Sequence, residues 1–145
     1  EMYGVKHAIT LNSGTSALFA GMIAGEIGAG DEVILSAFTF WGASHVIINP
    51  GATPVFVEPD PNTYNIDPTN IKPAITPKTK AIEVVHMYGQ PCDMNPINEI
   101  AEEHDLFVIE DACHACGAKY NGKYTGTLGD VAGYSFVAKS SLSSE

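Results

Sequence analysis

Three stretches, Val33-Ile34-Leu35, Ile82-Glu83-Val84-Val85 and Leu106-Phe107-Val108-Ile109, are almost continuously apolar rather than alternating. A strand with one wet face alternates, so near-continuous runs of this length predict strands covered on both faces. Further strands are predicted at Ala8 to Leu11 and Thr53 to Val57, and the runs above place strands at Glu32 to Leu35, Lys80 to Val85 and Phe107 to Ile109. Segments of helical period separate them, from about Ser16 to Ile27, near Trp41 to Ile48 and near Pro96 to His104. This βαβα alternation predicts an α/β fold, a three-layer α/β/α sandwich on a mostly parallel sheet. Asn121-Gly122, between Lys119-Tyr120 and Lys123-Tyr124, predicts a tight hairpin outside that sheet. No repeat, low-complexity tract or linker interrupts the pattern, so residues 1–145 read as one domain.

Composition narrows the function classes. The chain has 145 residues, 45% of them hydrophobic, enough for one core. Seven Lys+Arg stand against seventeen Asp+Glu, a formal charge of -10, so there is no basic patch for nucleic acid or an anionic membrane. The longest apolar run, Ala17 to Gly25, is far shorter than a membrane span and no charged segment precedes it. The expectation is a cytoplasmic, soluble protein with a small-molecule or protein partner. Three cysteines, an odd number, do not suggest a secreted disulfide scaffold. The chain opens at Glu1 without Met and stops at Glu145 just after a strand-like segment, which reads as a domain truncated at both ends.

In an open α/β sheet the ligand lies beyond the carboxyl ends of the strands, and the unusual residues of this chain lie there too. In Val108-Ile109-Glu110-Asp111-Ala112-Cys113-His114 an apolar strand runs into acids. A buried carboxylate is costly without a cationic partner, and the protonated pyridine nitrogen of pyridoxal phosphate is one such partner for Asp111. Asn12-Ser13-Gly14-Thr15-Ser16 leads small and hydroxyl residues into a helix, a start that suits either a phosphate or a simple N-cap at Thr15 or Ser16. Phe38, Phe40 and Trp41 follow a strand; such rings stack on a planar ligand or, more commonly, fill a core. His86, after another buried strand, reads as a scaffold histidine. Cys113-His114-Ala115-Cys116 has dithiol or zinc spacing, but the preceding carboxylates oppose a thiolate and no second pair completes a metal site. Both cysteines therefore read as small buried hydrophobes, and no metal is expected. Lys139 follows a strand in small and apolar surroundings, where desolvation favours a nucleophilic amine.

Five segments in register, N-S-G-T-S-A-L, G-D-E-V-I with F-T-F, H-M-Y-G-Q-P-x-D-M, V-I-E-D-A-x-H-A-x-G-A-x-Y-x-G-K and G-D-V-A-x-Y-S-F, cover essentially the whole chain. In that order they resemble the DegT/DnrJ/StrS family of pyridoxal-phosphate-dependent sugar aminotransferases. The resemblance implies the large-domain core of the aspartate-aminotransferase fold (fold type I). It implies that Gly14, Thr15 and Ser16 bind the cofactor phosphate with Ser135. It further implies that Phe40 stacks on the ring, with Trp41 the second choice, that Asp111 partners the ring nitrogen, and that His114 lies beside the cofactor. The Schiff-base lysine of the family stands four residues after the Phe of S-F, which is Ser140 here, whereas Lys139 stands at three. A one-residue deletion assigns Lys139; an ungapped alignment puts Ser140 in the lysine column, the pattern of the family's sugar dehydratases.

The implied function is transfer of an amino group from L-glutamate (or L-glutamine) to a nucleotide-linked keto-sugar, in polysaccharide or antibiotic sugar biosynthesis. Lys139 and Asp111 are the implied catalytic residues, in a homodimer with a shared active site. The alternatives are a dehydratase of the same family and a non-catalytic cofactor-binding regulatory protein.

Overall fold

The structure is a computed structural model and describes residues 3–136. Lys139 and Ser140 lie outside the described residues. The elements are α1 (Gly14–Ala24), β1 (Glu32–Ser36), α2 (Trp41–Ile48), β2 (Thr53–Val57), β3 (Thr79–Val85), α3 (Met94–His104), β4 (Phe107–Asp111), β5 (Lys119–Tyr120), β6 (Lys123–Tyr124) and β7 (Val131–Gly133), with short 3-10 turns between them.

Five strands form one sheet in the order β2-β1-β3-β4-β7, and every pair in it is parallel. The side chains of its strands split by parity into two apolar layers. Val33, Leu35, Ala81, Val85 and Ile109 meet Leu18 and Met22 of α1 and Val46 and Ile47 of α2. Ile34, Ile82, Val84 and Val108 meet Met94, Ile97 and Ile100 of α3 on the opposite face. Burial of each such side chain contributes about 1.5–3 kcal/mol, and two covered faces explain why these strands carry unbroken apolar runs. The three-layer expectation is met. After β1 the chain builds β2 on one side and then returns to β3 on the other, so the order switches at β1/β3, where α/β sheets open a crevice.

Two local expectations are corrected. Ala8 to Leu11 is not a strand: Ile9 is 84% exposed, and no strand pairs with this segment among the described residues. Its apolar pattern lacks the neighbour that would supply ladder hydrogen bonds. Helix α1 begins at Gly14, not Ser16, and its N-cap is Ser13, neither Thr15 nor Ser16. Ser13 is extended and its Oγ accepts the Ser16 N–H at 3.1 Å. The helix stops at Ala24 because Glu26 turns left-handed and the Glu26 and Ile27 N–H groups bond back to Ile23 and Met22, a Schellman closure. The Asn121-Gly122 hairpin forms as its sequence demands, with positive φ at both residues.

Candidate active site

Asp111 is the last residue of β4, paired with Val85 and Gly133 on its two sides. Its parity with Ile109 directs it to the layer of α1 and α2. It is 6% exposed, and its Oδ1 accepts the Cys113 N–H at 3.0 Å. None of the three ion pairs among the described residues includes it. A buried carboxylate with no cation from the described chain is a receptor for a cationic group.

Beside it, the first turn of α1 brings N–H groups that have no partner within the helix. Ser13 caps that of Ser16 and also donates to Ser16 Oγ at 3.0 Å. A Cβ on Gly14 would lie 2.7 Å from Cys113 Sγ and 3.0 Å from Ser135 Cβ. Only glycine lets the helix start approach both the loop after β4 and the segment after β7, so Gly14, Cys113 and Ser135 meet at one point. A Cβ on Gly42 would press on the Phe40 ring at 2.8 Å and lie 3.5 Å from Thr15 Oγ1. The starts of α1 and α2 therefore converge, with Phe40 over them. Phe38, Phe40 and Trp41 are 40%, 52% and 63% exposed, so the commoner core reading of these rings is corrected. They follow β1 where the sheet ends, and their ring contacts, Phe38 on Tyr64, Phe40 on Trp41 and Trp41 on His45, leave them largely open to solvent.

His114 lies in the turn after β4, its ring stacked on Tyr88 at 6.4 Å between centroids, and its buried Nδ1 has no partner among the described residues. Tyr88 is exposed and left-handed at φ 53. The cysteines divide. Cys113 is partly buried, and burial, then the charge of Asp111, pushes its thiol far up; Cys116 is exposed, 3.4 Å from the Tyr3 hydroxyl, so its buried reading is corrected. The turn after β4 swings its last residues out of the core. Among the described residues no group of three or more His, Cys, Asp or Glu is placed to hold a metal ion.

Glu110, one residue before Asp111, points to the opposite layer and organises the wall of the site. Its oxygens accept from Gly126, Leu128 and Gly129 N–H groups, each at 2.6 Å, and from His86 Nε2 at 3.0 Å. His86 Nδ1 accepts the Cys92 N–H at 3.0 Å, so the ring proton sits on Nε2 and the pair is a neutral imidazole bonded to a carboxylate. Burial raises Glu110, but the four donors outweigh it and hold the carboxyl below its usual range. His86 is the scaffold residue its sequence suggested. The roles of Glu110 and Tyr88 were not visible in the sequence; for Glu110 the signal was the alternation of a strand, which forces adjacent acids onto opposite faces.

The described candidates lie along the carboxyl edge of the sheet, where α/β sheets open a crevice: Asp111 is linked through Cys113 to the helix start at Gly14, with Ser135 against it, Thr15 faces the Phe40–Gly42 turn, and His114 follows Cys113 in the turn after β4. A flat molecule with an anionic group at one end and a basic ring nitrogen at the other fits that set.

The chain is 53% identical over 133 residues to GDP-perosamine synthase of Caulobacter vibrioides, an alignment covering 92% of this chain and 36% of that protein. It superposes on the aminotransferase from Psychrobacter cryohalolentis with a TM-score of 0.92 at 43% identity, covering 96% of this chain and 35% of the other. It also matches NtdA from Bacillus subtilis, a structure with bound cofactor PMP, with a TM-score of 0.74 at 43% identity, covering 79% and 26%. The chain thus spans about a third of the length of the relatives it matches. The family model of the DegT/DnrJ/EryC1/StrS aminotransferases matches residues 1–144, and the chain belongs to that family.

Proposed function

We propose that this chain is the cofactor-binding core of a pyridoxal-phosphate-dependent aminotransferase acting on a nucleotide-linked keto-sugar, with L-glutamate or L-glutamine as donor. The observation that carries the reading is Asp111, a buried carboxylate without a cation from the described residues, set beside the α1 start. The substrate class is supported by the GDP-sugar relative, and the cofactor by the PMP-bound neighbour.

Gly14, Thr15, Ser16 and Ser135 bind the phosphate, where the helix dipole and free N–H groups favour an anion. Phe40 would stack on the ring and His114 would lie beside it. When bound, pyridoxal phosphate supplies the electron sink that makes the donor's Cα proton removable. Asp111 holds the proton on the ring nitrogen. Lys139 would hold the cofactor through its amine and would serve as the base that takes the donor's Cα proton. The exposed Phe40 and Trp41 at the mouth support a homodimer in which a second subunit completes the site. No helix of the described residues is long and apolar enough to cross a membrane, which fits a cytoplasmic enzyme.

Asp111→Asn in the full-length protein tests the assignment. The fold is retained, and turnover drops by about 10²–10⁴-fold, the range for a positioned proton-handling group. Near wild-type turnover would make Asp111 a structural acid and sink the pyridinium role.

A further inference from the structure

Glu83 is absent from every role described so far. It interrupts β3 between Ile82 and Val84, is fully buried, and neither carboxyl oxygen has a hydrogen-bond partner among the described residues. Its register partners are Leu35 on β1 and Ile109 on β4, and its parity with Ala81 and Val85 turns it to the α1/α2 layer, the layer of Asp111. Because Val85 is opposite Asp111, Glu83 is the diagonal neighbour of Asp111, one step deeper in the sheet. Strand spacing of ~4.8 Å and a rise of ~3.3 Å per residue separate their Cβ atoms by about 8 Å. One water between the two carboxyl side chains bridges that distance.

We propose that Glu83 is a positioning residue for Asp111: a neutral carboxylic acid whose O–H is directed, through one bound water, at the Asp111 carboxylate from the inner side of the sheet. A carboxyl group surrounded by Leu35, Ala81, Val85 and Ile109 cannot keep a charge without a cation. Burial, then the nearby Asp111, raises it well above the usual carboxylate range. Other titratable groups do not offset this. The only titratable group that α2 offers is His45, which is exposed, and α1 offers none; from β4 and its loop come Asp111 and the Cys113 thiol. An ionised Asp accepts up to about four hydrogen bonds. Cys113 N–H takes one site on Oδ1, and Glu83 takes another from behind through the water, which fixes the rotamer and leaves the outer edge for the ring nitrogen. This inference deepens the cofactor reading and rests on it for its functional consequence, but the donor itself is testable without cofactor.

The test uses full-length protein labelled with ¹³C-carboxyl glutamate, as wild type, E83Q, E83L and D111N. In the cofactor-free protein near pH 7, infrared spectra of the wild type should contain one protonated-carboxyl stretch, absent in E83Q and E83L and shifted in D111N because the bridging water then meets an amide in place of a carboxylate. No such band, or a band indifferent to D111N, overturns the proposal. Equilibrium dialysis with pyridoxal phosphate then reads the consequence. E83Q, whose amide N–H still donates, should bind within about 3-fold of wild type, and E83L about 10-fold more weakly, which is ~1.4 kcal/mol. Wild-type affinity in E83L overturns the positioning role even if the band is present. If no variant, wild type included, binds pyridoxal phosphate, the functional reading fails while the infrared result still decides Glu83; E83L, apolar for a site among apolar neighbours, is expected to fold.

Discussion

Glu110→Gln isolates the interaction that holds the site's wall in place. The carboxylate receives four donors, Leu128 and Gly129 N–H on Oε1 and Gly126 N–H and His86 Nε2 on Oε2. Glutamine keeps the volume but only one oxygen, so two of the four donors face an NH₂ group. His86 cannot adapt by moving its proton, since Nδ1 already accepts from Cys92. Each buried donor left without an acceptor costs about 1–3 kcal/mol, so the loss is ~2–6 kcal/mol. Set against about 5–15 kcal/mol for a typical domain, that is a large fraction of the stability. The 126–129 turn leads into β7, and β7 delivers Ser135 to Gly14, so the same change loosens the phosphate end of the crevice. Urea unfolding of wild type and E110Q gives the difference. Its pH dependence has a definite sign. The folded carboxyl lies below its usual range, so its stabilisation is complete above the unfolded value of about 4.3 and is lost as pH falls through the folded value. The gap between the two proteins should hold steady over roughly pH 6 to 8 and close in acid. A difference under about 1 kcal/mol at neutral pH would refute the reasoning, because it would mean the turn finds other acceptors at little cost.

Two further outcomes follow from the crevice. Gly14→Ala should weaken pyridoxal phosphate binding at least about 10-fold, measured by dialysis, because the new methyl meets Cys113 Sγ and Ser135 and backs α1 away from the phosphate; unchanged binding would remove Gly14 from the site. Replacing Cys113 and Cys116 together by Ala should leave turnover within a few-fold, since one thiol is partly buried and held protonated and the other is exposed. A loss of activity that tracks a measurable dithiol potential would restore the redox reading.

Much of the architecture was legible because local and global signals agree. Thr53–Val57 and Trp41–Ile48 fall where their patterns put them, and Asn121-Gly122 has no other easy conformation. Ala8 to Leu11 failed for a physical reason: an apolar segment becomes a strand only if another strand offers its ladder, and sequence carries no record of that partner. The α1 start was misplaced by two residues because three hydroxyl residues compete for the cap and geometry chose Ser13. Within the site, Asp111 was legible as an acid ending an apolar strand. The approach of Gly14 to Ser135 and the four donors on Glu110 were not, since each joins residues far apart in the chain. Glu83 was legible only as an anomaly in the run Ala81 to Val85.

The central claim is that this crevice carries pyridoxal phosphate with Lys139 as its amine. Borohydride reduction of the full-length protein with bound cofactor, followed by peptide mapping, reads it directly. A lysine side chain spans roughly 6 Å, enough to absorb a one-residue shift at a modest rotamer or backbone cost, and the nearest preceding lysine, Lys123, lies in the hairpin ahead of β7. The label should be found on Lys139. A label on another lysine contradicts the assignment, and bound cofactor with no label contradicts the aminotransferase reading in favour of a dehydratase with Ser140 in the lysine column or a binding protein without turnover.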